Sequence, residues 1–444
     1  MSSEWIETTL GDICHSQGGS IQTGPFGSQL HTSDYTEKGT PVVMPTNIGM
    51  QGISLERIAR IGQEDVERLS QHKLAVGDIV FSRRGDVTKN ALVRETESGW
   101  LCGTGCLKVR MGAEKMASAQ FVSYYLRLPE IKDWLIRHAV GATMPNLNTA
   151  ILAAVPVILP SLPVQHQVTE FLRALDDRIT LLCETNKTLE SIAQAIFKSW
   201  FVDFDPVRAK MEGRQPEGMD EEIAALFPDS FEESELRLIP RGWKAGSLDE
   251  LSVLNPESWT AKNHPEKILY ADLANTKNNV MDGLSEFTFE DAPSRARRVL
   301  RSGDTIVGTV RPGNRSFAFV HSELENLTGS TGFAVLRPRA GAAAEFIYLS
   351  ATQDSSIEYL THVADGGAYP AVRPDVVSNM TCVLPSEEIL KEFHDAAILV
   401  FKSVANNQMG IQKLSALRDM LLPRLVSGQL RLPEAHQQVE VATS

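Results

Sequence analysis

Few side chains in this sequence have the types and spacing that covalent or metal chemistry needs. Cys102 and Cys106 bracket Gly103-Thr104-Gly105. A structural zinc takes four ligands, however, and no second Cys or His pair completes the set, so both thiols are expected in buried strands. The ten histidines sit in no recognisable catalytic setting, and there is no Gly-x-Ser-x-Gly turn to present a nucleophile. No Gly-x4-Gly-Lys-Ser/Thr loop is present to hold nucleotide phosphates. Cationic recognition remains. Between Pro293 and Arg315 six arginines (Arg295, Arg297, Arg298, Arg301, Arg311 and Arg315) stand against Asp304 alone. Guanidinium groups suit polyanions and hydrogen-bonding edges.

The whole chain, 444 residues with a net charge of -13, hides this segregation. Acid concentrates between Glu212 and Glu235, where nine carboxylates face only Arg214. Such a run reads as a solvated linker. The hydrophobic fraction of 42% can fill more than one core. Met1 to Thr9 has no leader-like apolar run, and the longest apolar stretch, Ala150 to Leu159, is broken at Pro156, so neither a signal peptide nor a membrane span is expected. Five scattered cysteines suit a reducing cytoplasm.

The elements that must position the arginines come in duplicate. Gly77-Asp78-Ile79-Val80 returns as Gly303-Asp304-Thr305-Ile306, and Gly103 to Arg110 returns as Ser330 to Arg337 with a one-residue slip. Gly141 to Pro145 answers to Gly366 to Pro370, and Val157 to Ser161 to Cys382 to Ser386. The offset stays near 225 residues, too long for a solenoid and suited to a duplicated domain.

A long apolar ladder follows each copy. The first runs Val168, Leu172, Leu175, Ile179, Leu182, Asn186, Leu189, Ala193, Ile196, Trp200, and the second runs from Ile389 through Asn407, Leu414 and Leu417 to Leu421. Each spans 33 residues, about 50 Å as a helix. Asn186 and Asn407 fall on the same rung, where each either fixes register or is tolerated in a wet stretch. An antiparallel pair would act as a ruler between two lobes. After the first ladder comes Phe197-Lys198-Ser199-Trp200-Phe201-Val202-Asp203-Phe204-Asp205-Pro206, which either packs in a core or offers a protein-docking surface through Trp200 and Phe201. Pro423 and Gly428 punctuate the end of the second, and the rest looks loose.

The fold class expected is α+β: two similar domains, each a twisted sheet with helices followed by a long helix, the two helices pairing as an antiparallel coiled coil. The expected boundaries are 1–160 and 242–386 for the domains, 161–205 and 387–428 for the helices, 206–241 for an acidic linker and 429–444 for a flexible tail.

Taken together, the lobe starts at Trp5 to Ile13 and Gly242 to Leu251, the loop Gly24-Pro25-Phe26-Gly27-Ser28-Gln29-Leu30, the Phe197 to Val207 stretch and the closing Leu421 to Gly428 resemble the specificity subunit of type I restriction-modification systems, the HsdS family. The resemblance covers almost the whole chain. It implies two target-recognition domains, each reading one part of a split target on double-stranded DNA. It also implies helices that dock two methyltransferase (HsdM-like) subunits, and a restriction/translocase (HsdR-like) subunit that joins them. S-adenosylmethionine would belong to the methyltransferase, and ATP and Mg to the restriction partner. The chain would carry no cofactor, no metal and no catalytic residue. In keeping with that, the only Asn-Pro, Asn255-Pro256, is followed by Glu257, so the Asn-Pro-Pro-aromatic signature of adenine methyl transfer is absent.

DNA contacts are expected on loops. In the first lobe Ser82, Arg83, Arg84, Lys89 and Asn90 are the candidates, with Lys108 and Arg110 as secondary candidates whose expected role is that of ordinary surface residues, and Gln22, Thr23 and Ser28 as weaker candidates. In the second lobe Arg311, aligned with Arg84 by a shift of 227, joins Asn314, Arg315, Tyr369 and Arg373. The helix-pairing or docking candidates are Leu175, Ile179, Asn186, Leu189, Trp200, Phe201, Asn407, Leu414, Leu417 and Leu421. The competing function is a coiled-coil protein-interaction scaffold without DNA specificity.

Overall fold

The Gly-Asp anchors are turns that bury a charge. Gly77 and Gly303 have φ of 86° and 88°, a left-handed conformation that glycine takes without steric cost. The aspartate after each closes the turn, Asp78 accepting from Ala75 N and Asp304 from Arg301 N. Each carboxylate then receives a two-pronged guanidinium from the neighbouring strand. Arg110 donates to Asp78 at 2.8 and 2.6 Å, and Arg337 to Asp304 at 2.8 and 2.8 Å. Asp78 and Asp304 are 1% and 0% exposed, so each pair fixes the foot of its strand in a setting where an unpaired charge would be costly.

The computed structural model describes residues 5–49, 52–141, 144–235, 238–321 and 324–443. Ala142 and Thr143, part of one repeated motif, lie outside the described residues. The chain forms two compact units, one of Met1–Leu181 with Ile411–Ser444 and one of Leu182–Gly410.

Within each unit the same sheets recur. In the first, the strands Gly18–Thr23, Cys106–Gly112, Ile79–Ser82 and Asn90–Leu92 lie side by side in that order, all antiparallel. In the second, Ser252–Leu254, Phe333–Pro338, Thr305–Gly308 and Phe317–Phe319 repeat the order and the sense. A further sheet contains one parallel pair in each unit, Tyr35–Val43 with Leu101–Cys102 and Lys267–Ala271 with Leu327–Ser330. In each unit an early strand closes against a late one, Ile6–Thr9 with Pro156–Leu159 and Lys244–Ser247 with Thr381–Leu384. Duplication thus extends from motif to topology.

The two long helices, Leu162–Phe197 and Glu387–Val426, pair antiparallel and complete the core of both units. In the first unit Phe171, Leu172 and Leu175 pack with Leu417, Leu421, Leu422 and Val426, and Arg418 donates to Asp176 at 2.8 Å. In the second, Ala193, Phe197, Trp200 and Phe201 join Ile389, Phe393, Ala397 and Phe401. Asn407 Nδ2 donates to Asn186 Oδ1 at 2.8 Å, and Asn186 Nδ2 donates to the Val404 carbonyl at 3.2 Å. Asn407 and the Val404 carbonyl between them satisfy the Asn186 amide in an apolar seam, where an unpartnered amide would be destabilising.

Two stretches depart from expectation. Residues 206–241, taken as a linker, carry the helices Asp205–Met211 and Glu221–Leu226 and a hairpin of Phe231–Glu233 with Leu238–Pro240. Val207, Phe227 and Ile239 pack into the second unit's core, so the apolar residues dispersed among the carboxylates outweigh the charge of the run. Residues 429–444, taken as a loose tail, carry the helix Leu432–Thr443. It is held because Leu430 and Ala435 are buried in the first unit's core and His436 meets the Phe171 ring edge-on at 4.9 Å. Of the two readings open for Trp200 and Phe201, the structure shows the core rather than an exposed docking surface: Phe201 touches Trp243, Phe346 and Phe393, and Trp200 touches Phe227. Aromatic area of this kind is worth more inside a core than at a rim.

Candidate nucleic-acid interface

In the first unit the turn between Ile79–Ser82 and Asn90–Leu92 is built by its own short bonds. Ser82 N takes the Lys89 carbonyl at 2.9 Å, and Ser82 Oγ donates to the Arg84 carbonyl at 2.9 Å. Asp86 Oδ1 accepts from both the backbone N and the hydroxyl of Thr88, an Asx turn. Gly85 sits at φ 76°, and Val87 plugs into the core. These bonds leave Arg84 and Lys89 in solvent. Arg83 is half-buried, its Nε donating to Asn146 Oδ1 at 3.2 Å and its guanidinium 5.9 Å from the exposed Phe26 ring.

The matching turn of the second unit is one residue longer. Gly308 N takes the Ser316 carbonyl where Ser82 N takes that of Lys89. Arg311 and Arg315 flank the short helix Pro312–Asn314, both left-handed at φ 49° and 60°. Holding two non-glycine residues there costs about 1 to 2 kcal/mol each, an expense that bonds at both ends offset. Arg311 N donates to the Pro370 carbonyl at 2.7 Å, its guanidinium donates to the Ala368 carbonyl at 2.8 Å, and the Tyr369 ring lies 4.7 Å away. Arg315 is tied to Asn278 at 2.9 Å and to Asp354 at 2.8 Å. Asn314 and Tyr369 are exposed, and Arg373 is exposed beside Asp375 at 3.3 Å.

Strand pairing revises the sequence alignment of these turns. Arg84 bridges Asn146 and Val310 bridges Ala371. Arg84 therefore corresponds to Val310, and Arg311 stands at the left-handed position held in the first unit by Gly85. Four further candidates differ from expectation. Ser82 and Asn90 are buried, Ser82 closing the turn and Asn90 donating to the Thr88 carbonyl. Lys108 is enclosed, its Nζ donating to the carbonyls of Gln71 and Lys73 while burial pushes its pKa down. Arg110 is the partner of Asp78.

The arginine cluster is also less free than its sequence suggests. Arg295 pairs with Asp272, Arg301 with Glu257 and Arg315 with Asp354. Arg301, together with Arg337, holds the Glu257 carboxyl down at about 2. Arg84, Lys89 and Arg311 have no carboxylate partner among the described residues. Sequence reasoning passed over Phe26 and Asn146, which hold Arg83. It also passed over Met144, although the 225-residue offset sets it opposite Tyr369.

Cys102 and Cys106 are buried in the first unit. Burial pushes the Cys102 thiol up to about 12, and Cys106 Sγ donates to the Val43 carbonyl at 3.3 Å. Both are therefore protonated core residues.

The geometry is noncovalent throughout: guanidinium and ammonium groups with exposed aromatic and apolar side chains on braced turns. Residues 2–191 match the model of the type I restriction modification DNA specificity domain. The chain is 26% identical over 347 residues to the type I restriction enzyme HindI specificity subunit of Haemophilus influenzae, covering 67% of this chain and 73% of that one. It is 25% identical over 325 residues to the MjaIX specificity subunit of Methanocaldococcus jannaschii, covering 71% and 70%. The S subunit of a type I restriction-modification system from M. genitalium shares the fold, with a TM-score of 0.54 at 14% identity over 96% of both chains. Domain match, relatives and duplicated architecture point the same way: the chain is similar to the specificity subunits of type I restriction-modification systems, and its fold to that of a solved S subunit.

Proposed function

We propose that this chain reads a bipartite, asymmetric sequence on double-stranded DNA, one part per unit, and positions two adenine methyltransferase subunits and a restriction/translocase subunit on it. The observation that carries this is a pair of turns on the same topology with different chemistry at matched places. One is Arg83-Arg84-Gly85 and the other Thr309-Val310-Arg311. Identical scaffolds with non-identical tips suit two different half-sites. The chain itself is non-catalytic in this proposal: methyl transfer with S-adenosylmethionine, and ATP- and Mg-dependent work, fall to the partners. Assembly takes place in the cytoplasm, which accords with there being no described helix long and apolar enough to cross a membrane.

Sequencing of methylated adenines in cells with and without this chain tests the proposal. A split motif that disappears with the chain is expected. The scaffold alternative predicts an unchanged motif and no salt-dependent duplex binding by the chain with its methyltransferase, whereas phosphate contacts give a steep salt slope.

A further inference from the structure

Beside the arginine turn of each unit stands a second small hairpin, and the two hairpins are the same device. In the first unit Val140 and Asn146 exchange backbone bonds at 2.9 and 2.9 Å, and in the second Asp365 and Ala371 do so at 3.0 and 2.8 Å. Each opens on a left-handed glycine, Gly141 at φ 112° and Gly366 at φ 108°. A Cβ there would lie 2.6 Å from the Met144 carbonyl oxygen or 3.0 Å from that of Tyr369. Each hairpin is bonded to its neighbouring turn, through Arg83 to Asn146 and through Arg311 to Ala368.

At the same position each carries one large apolar side chain in solvent: Met144, 61% exposed, and Tyr369, 72% exposed. A single exposed apolar residue needs no explanation. Recurrence at one braced position in both units, on a hairpin bonded each time to an arginine-bearing turn, does need one, because neither side chain fills a core.

We infer that Met144 and Tyr369 are matched base-contacting probes, each entering a DNA groove to touch thymine methyl groups or a base step while the adjacent arginine engages the polar edge or phosphate. This rests on the DNA-reading function proposed above. The chemistry suits it: the thioether is flexible and polarisable, and the phenol ring offers a stacking face. Apolar side chains inserted at base steps are an established means of reading deformability. Because the probes differ, each shapes its own part of the target.

The test uses the chain assembled with its methyltransferase, on a duplex carrying the motif identified by adenine-methylation sequencing. Met144→Ala and Tyr369→Ala are each expected to lose roughly 5- to 100-fold in affinity and to relax the motif in one part only, a different part for each. The salt slope should be unchanged, since no counterion release is removed, whereas Arg311→Ala lowers it by about 1. Leu55→Ala, an exposed apolar control on another loop of the first unit, should match the wild type. Tyr369→Phe should retain affinity, and a loss equal to that of the alanine variant would overturn the apolar contact in favour of a hydroxyl bond. If both alanine variants stay within about twofold of wild type with an unaltered motif while Arg311→Ala weakens binding, the probes are refuted and the DNA-reading function stands. If no methylated motif depends on the chain, both fall.

Discussion

The first unit turns its chain at Gly85 and the second at Arg311, on sheets of the same order and sense. Below these turns the units share the ion pair that holds each strand, Arg110 with the buried Asp78 and Arg337 with the buried Asp304. At the turns they share backbone shape and little else. Chemistry that supports the scaffold has stayed the same in both copies, and chemistry that faces solvent has diverged, which is the pattern expected if two readers share a frame and differ in what they read.

The most disruptive way to break this comparison is at its common base. Arg337→Ala leaves Asp304 buried without its cation and should cost about 3 to 5 kcal/mol, seen as faster amide exchange of Thr305–Gly308. Arg110→Ala should act in the same way on Ile79–Ser82 but by less, because the Arg110 side chain is 41% exposed where that of Arg337 is 19%. A large effect in one unit alone would show that the frames are not equivalent. The second unit adds Glu257, held down at about 2 by Arg301 and Arg337. Its folded pKa lies below its unfolded value, so its contribution is complete above about 4.5 and is lost as pH falls through about 2. The exchange difference between wild type and Glu257→Gln should therefore vanish on acidification across that window.

Effects of intermediate size sharpen the comparison. Asn407→Leu strands the Asn186 carbonyl oxygen in the helix seam and should cost about 1 to 3 kcal/mol, measured by denaturation, with Asn186→Leu/Asn407→Leu recovering much of it. Arg311→Ala should weaken target binding by about 1 to 3 kcal/mol and relax one half-site. Smallest in stability and most pointed in meaning is Gly85→Arg, which gives the first unit the second unit's residue at its left-handed position. The strain is about 1 to 2 kcal/mol, and the expected readout is an altered methylation motif in the first unit's part alone.

Much of the frame was legible in the sequence because duplication writes each anchor twice: the Gly-Asp turns, the hairpin glycines and the Asn186–Asn407 rung could each be checked against a partner. Exposure was harder to read. Lys108 looks like a surface cation in sequence, and only the packing of the 71–73 segment against its strand reveals two carbonyls waiting for its ammonium. Arg84 and Arg311 align by simple offset, yet one extra residue between Gly308 and Ser316 shifts the true match to Gly85. Ion pairs such as Arg315 with Asp354 join residues 39 apart, so neutralisation of the basic cluster could not be seen from local charge. The helix at 432–443 escaped notice because its anchors, Leu430 and Ala435, matter only once Phe171 and its neighbours are in place.

The first unit is assembled from two stretches of chain with the whole of 182–410 between them. On the ribosome, strands and helices of residues 5–181 emerge long before Leu417, Leu421, Leu425 and Val426, which fill their core. Until then Leu172 and Leu175 lack their partners, and closing so long an intervening segment carries an entropic cost and delay. The second unit, contiguous in sequence, can mature while the first still waits. Nascent chains halted before about residue 411 should therefore engage chaperones through the earlier-made half of the molecule.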